Sequence, residues 1–260
     1  MTFKQTSGLR LGIISALQEE QDGILQQMQD VQVFRHGMRD YSCGRLWGVD
    51  CVCVLARIGK VGAAATTTML IAEFAVSHIL FTGVAGSADK QVKVGDIVLA
   101  QDLVQHDMDC TPLFPRYQIP LTGKTLFAAD TALSDQVFTA CQQFLSKDFQ
   151  QAIAASAIST FSLQNCQLHR GLIASGDEFI DDAAKLQQIK CAWPALLAVE
   201  MEGAAVAQIC YEFAVPFAVL RTISDGANED SATDFGRFIA QVAARYAYAI
   251  VHRLCQQLAT

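Results

Sequence analysis

Short apolar runs rich in β-branched residues alternate with helix-like segments along the chain. This order predicts an α/β fold with three layers, α/β/α, around a central, twisted, mostly parallel or mixed β-sheet, because a crossover between parallel strands needs a helix. The predicted strands cover residues 11–16, 50–56, 78–82, 96–100, 168–174, 196–200 and 217–222. The predicted helices cover residues 19–28, 61–74, 131–145, 181–191, 203–213 and 235–258. Residues 107–130 hold three of the five prolines and are interpreted as a long excursion.

The composition favours one large domain. The chain has 260 residues, of which 52% are hydrophobic and 17% are charged, so a single domain over residues 1–260 can bury both faces of its sheet. The formal net charge is −7 and the 19 Lys and Arg residues are scattered, so no basic stripe follows a nucleic-acid backbone. No apolar stretch reaches the ~20 residues that a membrane span needs. We therefore expect neither a nucleic-acid nor a membrane partner.

The nine cysteines lie inside apolar runs such as the one from Cys51 to Cys53, and no CxxC spacing occurs. The first ten residues are polar and lack the apolar core of a signal peptide. We therefore expect reduced, buried thiols and a cytoplasmic protein.

Two carboxylates, Glu200 and Glu202, lie two residues apart in an otherwise apolar run from Ala198 to Ala205. A buried anion costs several kcal/mol unless a partner compensates it, so this spacing indicates a polar ligand. Two exposed acids at a strand end are the simpler alternative.

Polar and Gly-rich clusters follow six of the predicted strands. In an open parallel sheet, ligands bind in the crevice beyond the carboxyl ends of the strands, so six such clusters predict a single pocket. The clusters are residues 17–20, 57–60, 82–86, 175–178, 200–202 and 224–226.

These clusters, in this order, resemble those of the 5′-methylthioadenosine/S-adenosylhomocysteine nucleosidases, which are part of the nucleoside phosphorylase/hydrolase superfamily. The similarity extends over nearly the whole chain and leaves only residues 1–10 as an N-terminal extension. The matching pieces are residues 12–20, 58–61, 82–86, 93–98, 175–180, 199–202 and 223–227.

The resemblance implies hydrolysis of the N-glycosidic bond of adenine nucleosides. Asp225 is implied to protonate or hydrogen-bond N7 of adenine, with Ser224 orienting its carboxyl group. Glu202 is implied to bind the ribose 2′ and 3′ hydroxyls and to stabilise the developing positive charge, with Met201 packed against the sugar. Glu20 is implied to activate the attacking water, although acids at a helix start also favour the helix dipole.

The remaining implied contacts surround the base and the 5′ substituent. Phe179 would stack on adenine and Ile180 would supply backbone hydrogen bonds to it. The other implied positions are Ala85 and Gly86 near the sugar, Ile58 near the 5′ substituent, and Phe235 as a lid after residues 228–234. A homodimer is also implied, in which the loop from Cys110 to Pro115 helps to close the partner's pocket.

Departures from the family pattern leave the preferred substrate open. Val84 stands where the familiar bacterial enzymes carry serine, and Leu17 replaces a frequent methionine. Prolines 112, 115 and 120 reshape the region that would meet the 5′ substituent. Methylthioadenosine, adenosylhomocysteine and 5′-deoxyadenosine are the expected substrates, and hydrolysis of a futalosine-type adenine nucleoside is an alternative.

Two further alternatives are a purine nucleoside phosphorylase and a non-catalytic nucleoside sensor. Phosphate needs converging positive charge, whereas Phe81 and Thr82 stand where the phosphorylase branch carries arginine, and Glu20 would repel the anion. Arg57 remains a candidate phosphate contact. A sensor is disfavoured because all three implied acids are present. Residues 106–109 offer mainly oxygen ligands without a second histidine at helical spacing, so we expect no metal and no cofactor.

Overall fold

The computed structural model describes residues 8–226 and 235–259. The strands within these residues are β1 (Arg10–Ser15), β2 (Gln29–His36), β3 (Arg39–Leu46), β4 (Val49–Leu55), β5 (His78–Ser87), β6 (Ile97–Gln105), β7 (Phe127–Ala128), β8 (Leu168–Ser175), β9 (Leu196–Glu200) and β10 (Phe217–Asp225). The helices are α1 (Gln18–Leu25), α2 (Lys60–Ala72), α3 (Thr131–Gln143), α4 (Phe149–Ala152), α5 (Ala155–Thr160), α6 (Ala183–Ala192), α7 (Gly203–Glu212), α8 (Phe235–Phe238) and α9 (Ala244–Leu258). Two π-helical turns, Phe144–Asp148 and Ile239–Ala243, continue α3 and precede α9.

Helices cover both faces of the sheet, as the α/β prediction requires. Leu11 and Ile13 of β1 pack in one apolar cluster with α1, α3 and α9, whereas Ile14 packs on the other face with α2 and α7. Because both faces are buried, the central strands are apolar nearly throughout, and every residue of β10 is buried. Among the described residues, no helix is both long and apolar enough to cross a membrane.

The sheet is mixed, and five of its strands close into a ring. Strand β5 pairs in parallel with β1 and β10, and β10 continues through β6, β8 and β9 back to β5. The β5–β9 contact is antiparallel and joins only the carboxyl ends of the two strands, at Gly86 with Val199 and Ser87 with Ala198. This tail-to-tail contact brings the end of β9 to the end of β5, although the two strands run in opposite directions.

Residues 29–46, for which no strand or helix was predicted, form the hairpin β2–β3 at the edge of the sheet. Strand β2 is exposed at most positions, so it lacks the buried apolar run by which the other strands were recognised. The predicted helix over residues 19–28 also ends earlier, at Leu25.

Candidate active site

A cavity that opens to solvent lies where the strands end. Each of the six polar clusters contributes at least one lining residue, which confirms the predicted convergence on one pocket. The cavity wall contains ten of the predicted site residues, namely Ile58, Ala85, Gly86, Phe179, Ile180, Met201, Glu202, Ser224, Asp225 and Phe235. Residues 228–234, which precede the predicted lid residue, lie outside the described part of the chain.

Asp225 is the last residue of β10 and is buried in the cavity wall. The pairing of β10 with β5 shifts register between Ile223 and Asp225, and such a bulge redirects side chains at a strand end. Ser224 Oγ donates a hydrogen bond to Asp225 Oδ2 over 2.7 Å and lies 3.3 Å from the carbonyl oxygen of Ala85. The serine hydroxyl therefore fixes the orientation of the carboxyl group.

Glu200 is an anchored carboxylate. Its Oε2 accepts hydrogen bonds from Arg221 Nη2 at 2.6 Å and from the Gly203 N–H at 2.8 Å. The hydroxyl of Ser175 donates to Oε1. Because these donors supply charge and hydrogen bonds together, the cost of burying the anion is compensated.

Arg221 lies on β10 and is fully buried. Its guanidinium also lies 3.9 Å from the centre of the Phe81 ring, and Nη1 donates to the carbonyl oxygen of Leu220 at 3.1 Å. Cation–π contact and ion pairing together account for a fully buried arginine. Arg221 therefore serves as the counter-ion of Glu200.

Glu202 has fewer partners, although it lies only two residues from Glu200. Strand β9 ends at Glu200 and α7 begins at Gly203, so the chain turns at Glu202, and all three residues from Glu200 to Glu202 line the cavity. Glu202 Oε1 accepts a hydrogen bond from the Gly59 N–H at 2.9 Å. Burial and then the negative charge of Glu200 raise the pKa of Glu202 to about 7, against the opposing charge of Arg221.

Glu20 lies beside the cavity rather than in its lining. Its Oε2 accepts the N–H groups of Ala16 and Leu17, at 3.2 and 3.1 Å, and so caps the start of α1. Ala16 and Leu17 themselves line the cavity. Burial raises the pKa of Glu20 to about 7 despite these hydrogen bonds and the charge of Arg221. A carboxyl group with such a pKa can accept a proton near neutral pH.

The rest of the cavity wall is largely apolar. Phe179 is half exposed and meets Phe235 edge to face, with 6.5 Å between ring centres. Ile180 is buried, whereas Ile58 remains 65% exposed at the mouth of the cavity. Val84 also lines the cavity, so the departure noted in the sequence adds apolar surface. An apolar slot with a few convergent carboxyl groups is typical of a small-molecule site.

Positive charge is scarce around this cavity. Among the described lining residues none is Lys or Arg, and Arg57 donates to the Met38 carbonyl oxygen at 2.6 Å. Within the described residues, no group of three or more His, Cys, Asp or Glu side chains is arranged to hold a metal ion.

Three partners of the two glutamates were not predicted from the sequence, namely Arg221, Ser175 and the Gly59 N–H. A charged residue in the run from Phe217 to Ile223 was a usable signal for Arg221, because such a charge is buried only with a partner. No comparable signal marks Gly59, whose contribution is a backbone N–H.

The chain matches the family model described as the phosphorylase superfamily over residues 10–255, which defines its class. It is 34% identical over 230 residues to the 5′-methylthioadenosine/S-adenosylhomocysteine nucleosidase of a Marinomonas species, covering 88% of this chain and 91% of that protein. The chain belongs to the 5′-methylthioadenosine/S-adenosylhomocysteine nucleosidase family within this superfamily.

Two solved structures are similar to this fold over nearly its whole length. A nucleosidase of the same description from Colwellia psychrerythraea, in complex with adenine, has a TM-score of 0.84 and 31% identity, covering 99% of this chain and 98% of its own. A futalosine hydrolase of Helicobacter pylori has a TM-score of 0.81 and 30% identity, covering 96% and 98%.

Proposed function

We propose that this chain hydrolyses the N-glycosidic bond of 5′-methylthioadenosine and S-adenosylhomocysteine, and also of 5′-deoxyadenosine, and releases adenine. The observation that carries the proposal is the position of Asp225 and Glu202 in one apolar-walled cavity of a nucleosidase-family fold. Such an enzyme removes by-products of S-adenosylmethionine use and feeds methionine salvage.

In this proposal the acids divide the work of bond cleavage. Asp225, oriented by Ser224, protonates or hydrogen-bonds N7, so that adenine leaves as a neutral base. Glu202 binds the ribose hydroxyls and stabilises the developing cation. Glu20 takes a proton from the attacking water, and its pKa of about 7 suits that task at neutral pH. Phe179 and Ile180 hold the purine.

Phosphorolysis is disfavoured by the charges around the cavity. A phosphate co-substrate needs a cationic cradle, whereas the described lining residues include no Lys or Arg, and Arg221 is engaged by Glu200. Hydrolysis of a futalosine-type nucleoside is the second candidate, because the similarity to the Helicobacter pylori futalosine hydrolase covers 96% of this chain. The same acids would serve that reaction.

The test is adenine release from methylthioadenosine, adenosylhomocysteine, 5′-deoxyadenosine, adenosine and aminodeoxyfutalosine, each with and without phosphate. Release from the thio-nucleosides without phosphate is the expected result. Strict dependence on phosphate would identify a phosphorylase, and preference for aminodeoxyfutalosine would identify the second candidate. Nucleoside binding without any release would identify a sensor.

The proposal includes a cytoplasmic homodimer in which the loop from Cys110 to Pro115 closes the partner's 5′ pocket. Exposed apolar side chains support this assembly: Leu113 on the loop is 83% exposed, and Ile58 at the cavity mouth is 65% exposed. All nine cysteines are unpaired, which fits a reducing compartment. Light scattering is expected to give the mass of a dimer for the native chain, and a monomer for Leu113→Asp.

A further inference from the structure

Three loops that follow the carboxyl ends of strands are joined by a ring of hydrogen bonds. Lys60 Nζ donates to Asp107 Oδ1 at 2.6 Å, and the Asp177 N–H donates to Asp107 Oδ2 at 2.9 Å. The Lys60 N–H donates in turn to Asp177 Oδ1 at 2.7 Å. We call Lys60, Asp107 and Asp177 the clasp. It connects the segments that follow β4, β6 and β8.

The clasp lies directly beside the only hydrogen bond that links Glu202 to another loop among the described residues. The consecutive N–H groups of Gly59 and Lys60 donate hydrogen bonds to two carboxyl groups, those of Glu202 and Asp177 respectively. Both N–H groups belong to the start of α2, whose N-cap residue, Gly59, has no side chain that could cap the helix. Carboxylates from distant parts of the chain therefore cap this helix, as the positive end of its dipole favours.

Gly59 fits this arrangement because of its backbone conformation. Its φ of +95° lies in a region that side chains rarely adopt, and a Cβ there would lie 3.1 Å from Asp177 Oδ1. In this conformation the Gly59 N–H is directed at Glu202, and Asp177 holds the turn through the N–H of Lys60.

The contacts within the clasp favour the ionised form of Asp107. Burial opposes ionisation of Asp107, but the hydrogen bonds from Lys60 and the Asp177 N–H outweigh it, so that the pKa of Asp107 lies below its usual value. Lys60 Nζ also donates to Gln105 Oε1 at 3.2 Å. Each member of the ring is thus held by more than one contact.

We propose that Lys60, Asp107 and Asp177 are positioning residues for Glu202: they hold the Gly59 N–H against it and so fix the carboxyl group that binds ribose. This inference rests on the proposed function for the role of Glu202. None of the three clasp residues lines the cavity, so they act through Gly59 rather than on the substrate.

A loosened clasp should change the pH dependence of the reaction. The hydrogen bond from Gly59 lowers the pKa of Glu202, so its loss raises that pKa and leaves less carboxylate at pH 7. The other charged groups that face Glu202 are Glu200 on β9 and Arg221 on β10, while Asp225 and Glu178 share its cavity. Glu200 is held by Arg221 and Ser175, and Glu178 pairs with Lys185, so the substitutions below keep these contacts.

The test compares two substitutions at one position. Asp177→Ala removes the acceptor of the Lys60 N–H, whereas Asp177→Asn keeps an acceptor oxygen and loses only the charge. We expect Asp177→Ala to lower kcat/KM for methylthioadenosine at pH 7 about tenfold, which is the size of one lost hydrogen bond to a charged group. We also expect the acid limb of the pH profile of kcat/KM to shift to higher pH. Asp177→Asn should remain close to the native enzyme.

An equal loss at every pH, or an equal loss in Asp177→Ala and Asp177→Asn, would overturn the proposal. If Asp177→Ala does not fold, Lys60→Met and Asp107→Asn are judged by the same shift of the acid limb. Asp40→Asn is the matched control, because Asp40 pairs with Arg35 at the surface of the β2–β3 hairpin. Adenine release by the native chain decides the proposed function first, so failure of the clasp and failure of that function are separate results.

Discussion

Glu200 and Glu202 are the same residue type, two positions apart, yet their surroundings give them different tasks. Glu200 is held by Arg221, by the Ser175 hydroxyl and by backbone N–H groups. Glu202 receives one hydrogen bond from another loop, and its pKa is raised to about 7. A fully compensated carboxylate serves as a structural anchor, while a partly compensated one keeps the capacity to bind and titrate. The pairing partners therefore decide the role of each acid.

The largest effect is expected at Asp225, the acid that is proposed to act on the leaving base. Asp225→Asn keeps the shape of the side chain and an acceptor for Ser224, but it cannot deliver a proton to the leaving base. We expect turnover of methylthioadenosine to fall about 10²- to 10⁴-fold with little change in the free energy of unfolding. Steady-state kinetics and urea unfolding measure the two quantities. Turnover close to that of the native chain would remove Asp225 from the mechanism.

The anchored pair should show the opposite pattern, a loss of stability. Arg221→Met leaves Glu200 buried without its counter-ion, so the free energy of unfolding should fall by about 3 to 5 kcal/mol. The double variant Arg221→Met/Glu200→Gln is the control, since removal of both charges should recover part of that loss. Urea unfolding at pH 7 gives both values. Unchanged stability in the single variant would mean that the pair is not an anchor.

Glu20 resembles Glu202 rather than Glu200, because its pKa is also raised to about 7. Its substitution tests whether this acid takes part in the reaction. Glu20→Gln retains an oxygen that can accept the N–H groups of Ala16 and Leu17, so α1 should keep its cap. We expect hydrolysis to slow by about a hundredfold while nucleoside binding persists. Calorimetric titration with methylthioadenosine separates binding from turnover. Unaltered hydrolysis would place the base elsewhere.

The smallest effect concerns pH and stability. In the folded chain the pKa of Glu202 is about 7, above the usual 4.5, so between these values the folded state binds a proton that the unfolded state has lost. The stability that this proton supplies is present below pH 4.5 and is lost as pH rises through 7. Glu202→Gln should therefore gain on the order of 2 kcal/mol over the native chain at pH 8 but not at pH 4.5. An equal difference at both pH values would contradict this.

Much of the fold was predictable because its signals are local. Apolar runs mark the buried strands, and a polar cluster after each run marks the end at which the cavity forms. The hairpin of β2 and β3 was missed because its first strand is exposed and lacks that apolar run. The tail-to-tail contact of β5 and β9 could not be predicted either, because the pairing of two distant strands does not change the residue pattern of either strand.

The candidate site was predictable at the level of residue identity but not of pairing. Asp225, Glu202 and the apolar wall follow from motifs, whereas the partner of Glu200 depends on how β10 lies against β9 across the ring. The position of Glu20 shows the same limit. Its place at the start of α1 follows from the sequence, but the sequence does not reveal that Ala16 and Leu17, rather than Glu20, line the cavity. Its role as the base stays a prediction.

The insertion of β10 between β5 and β6 has a consequence for biosynthesis. A ribosome completes β5 and β6 long before β10 emerges, and at about 5 to 20 residues per second the wait lasts several seconds or more. Throughout that time β5 and β6 each carry an unpaired edge, to which other chains can add. The nascent chain is thus most exposed to aggregation just before its last strand appears, and chaperones that cover strand edges should act in this interval.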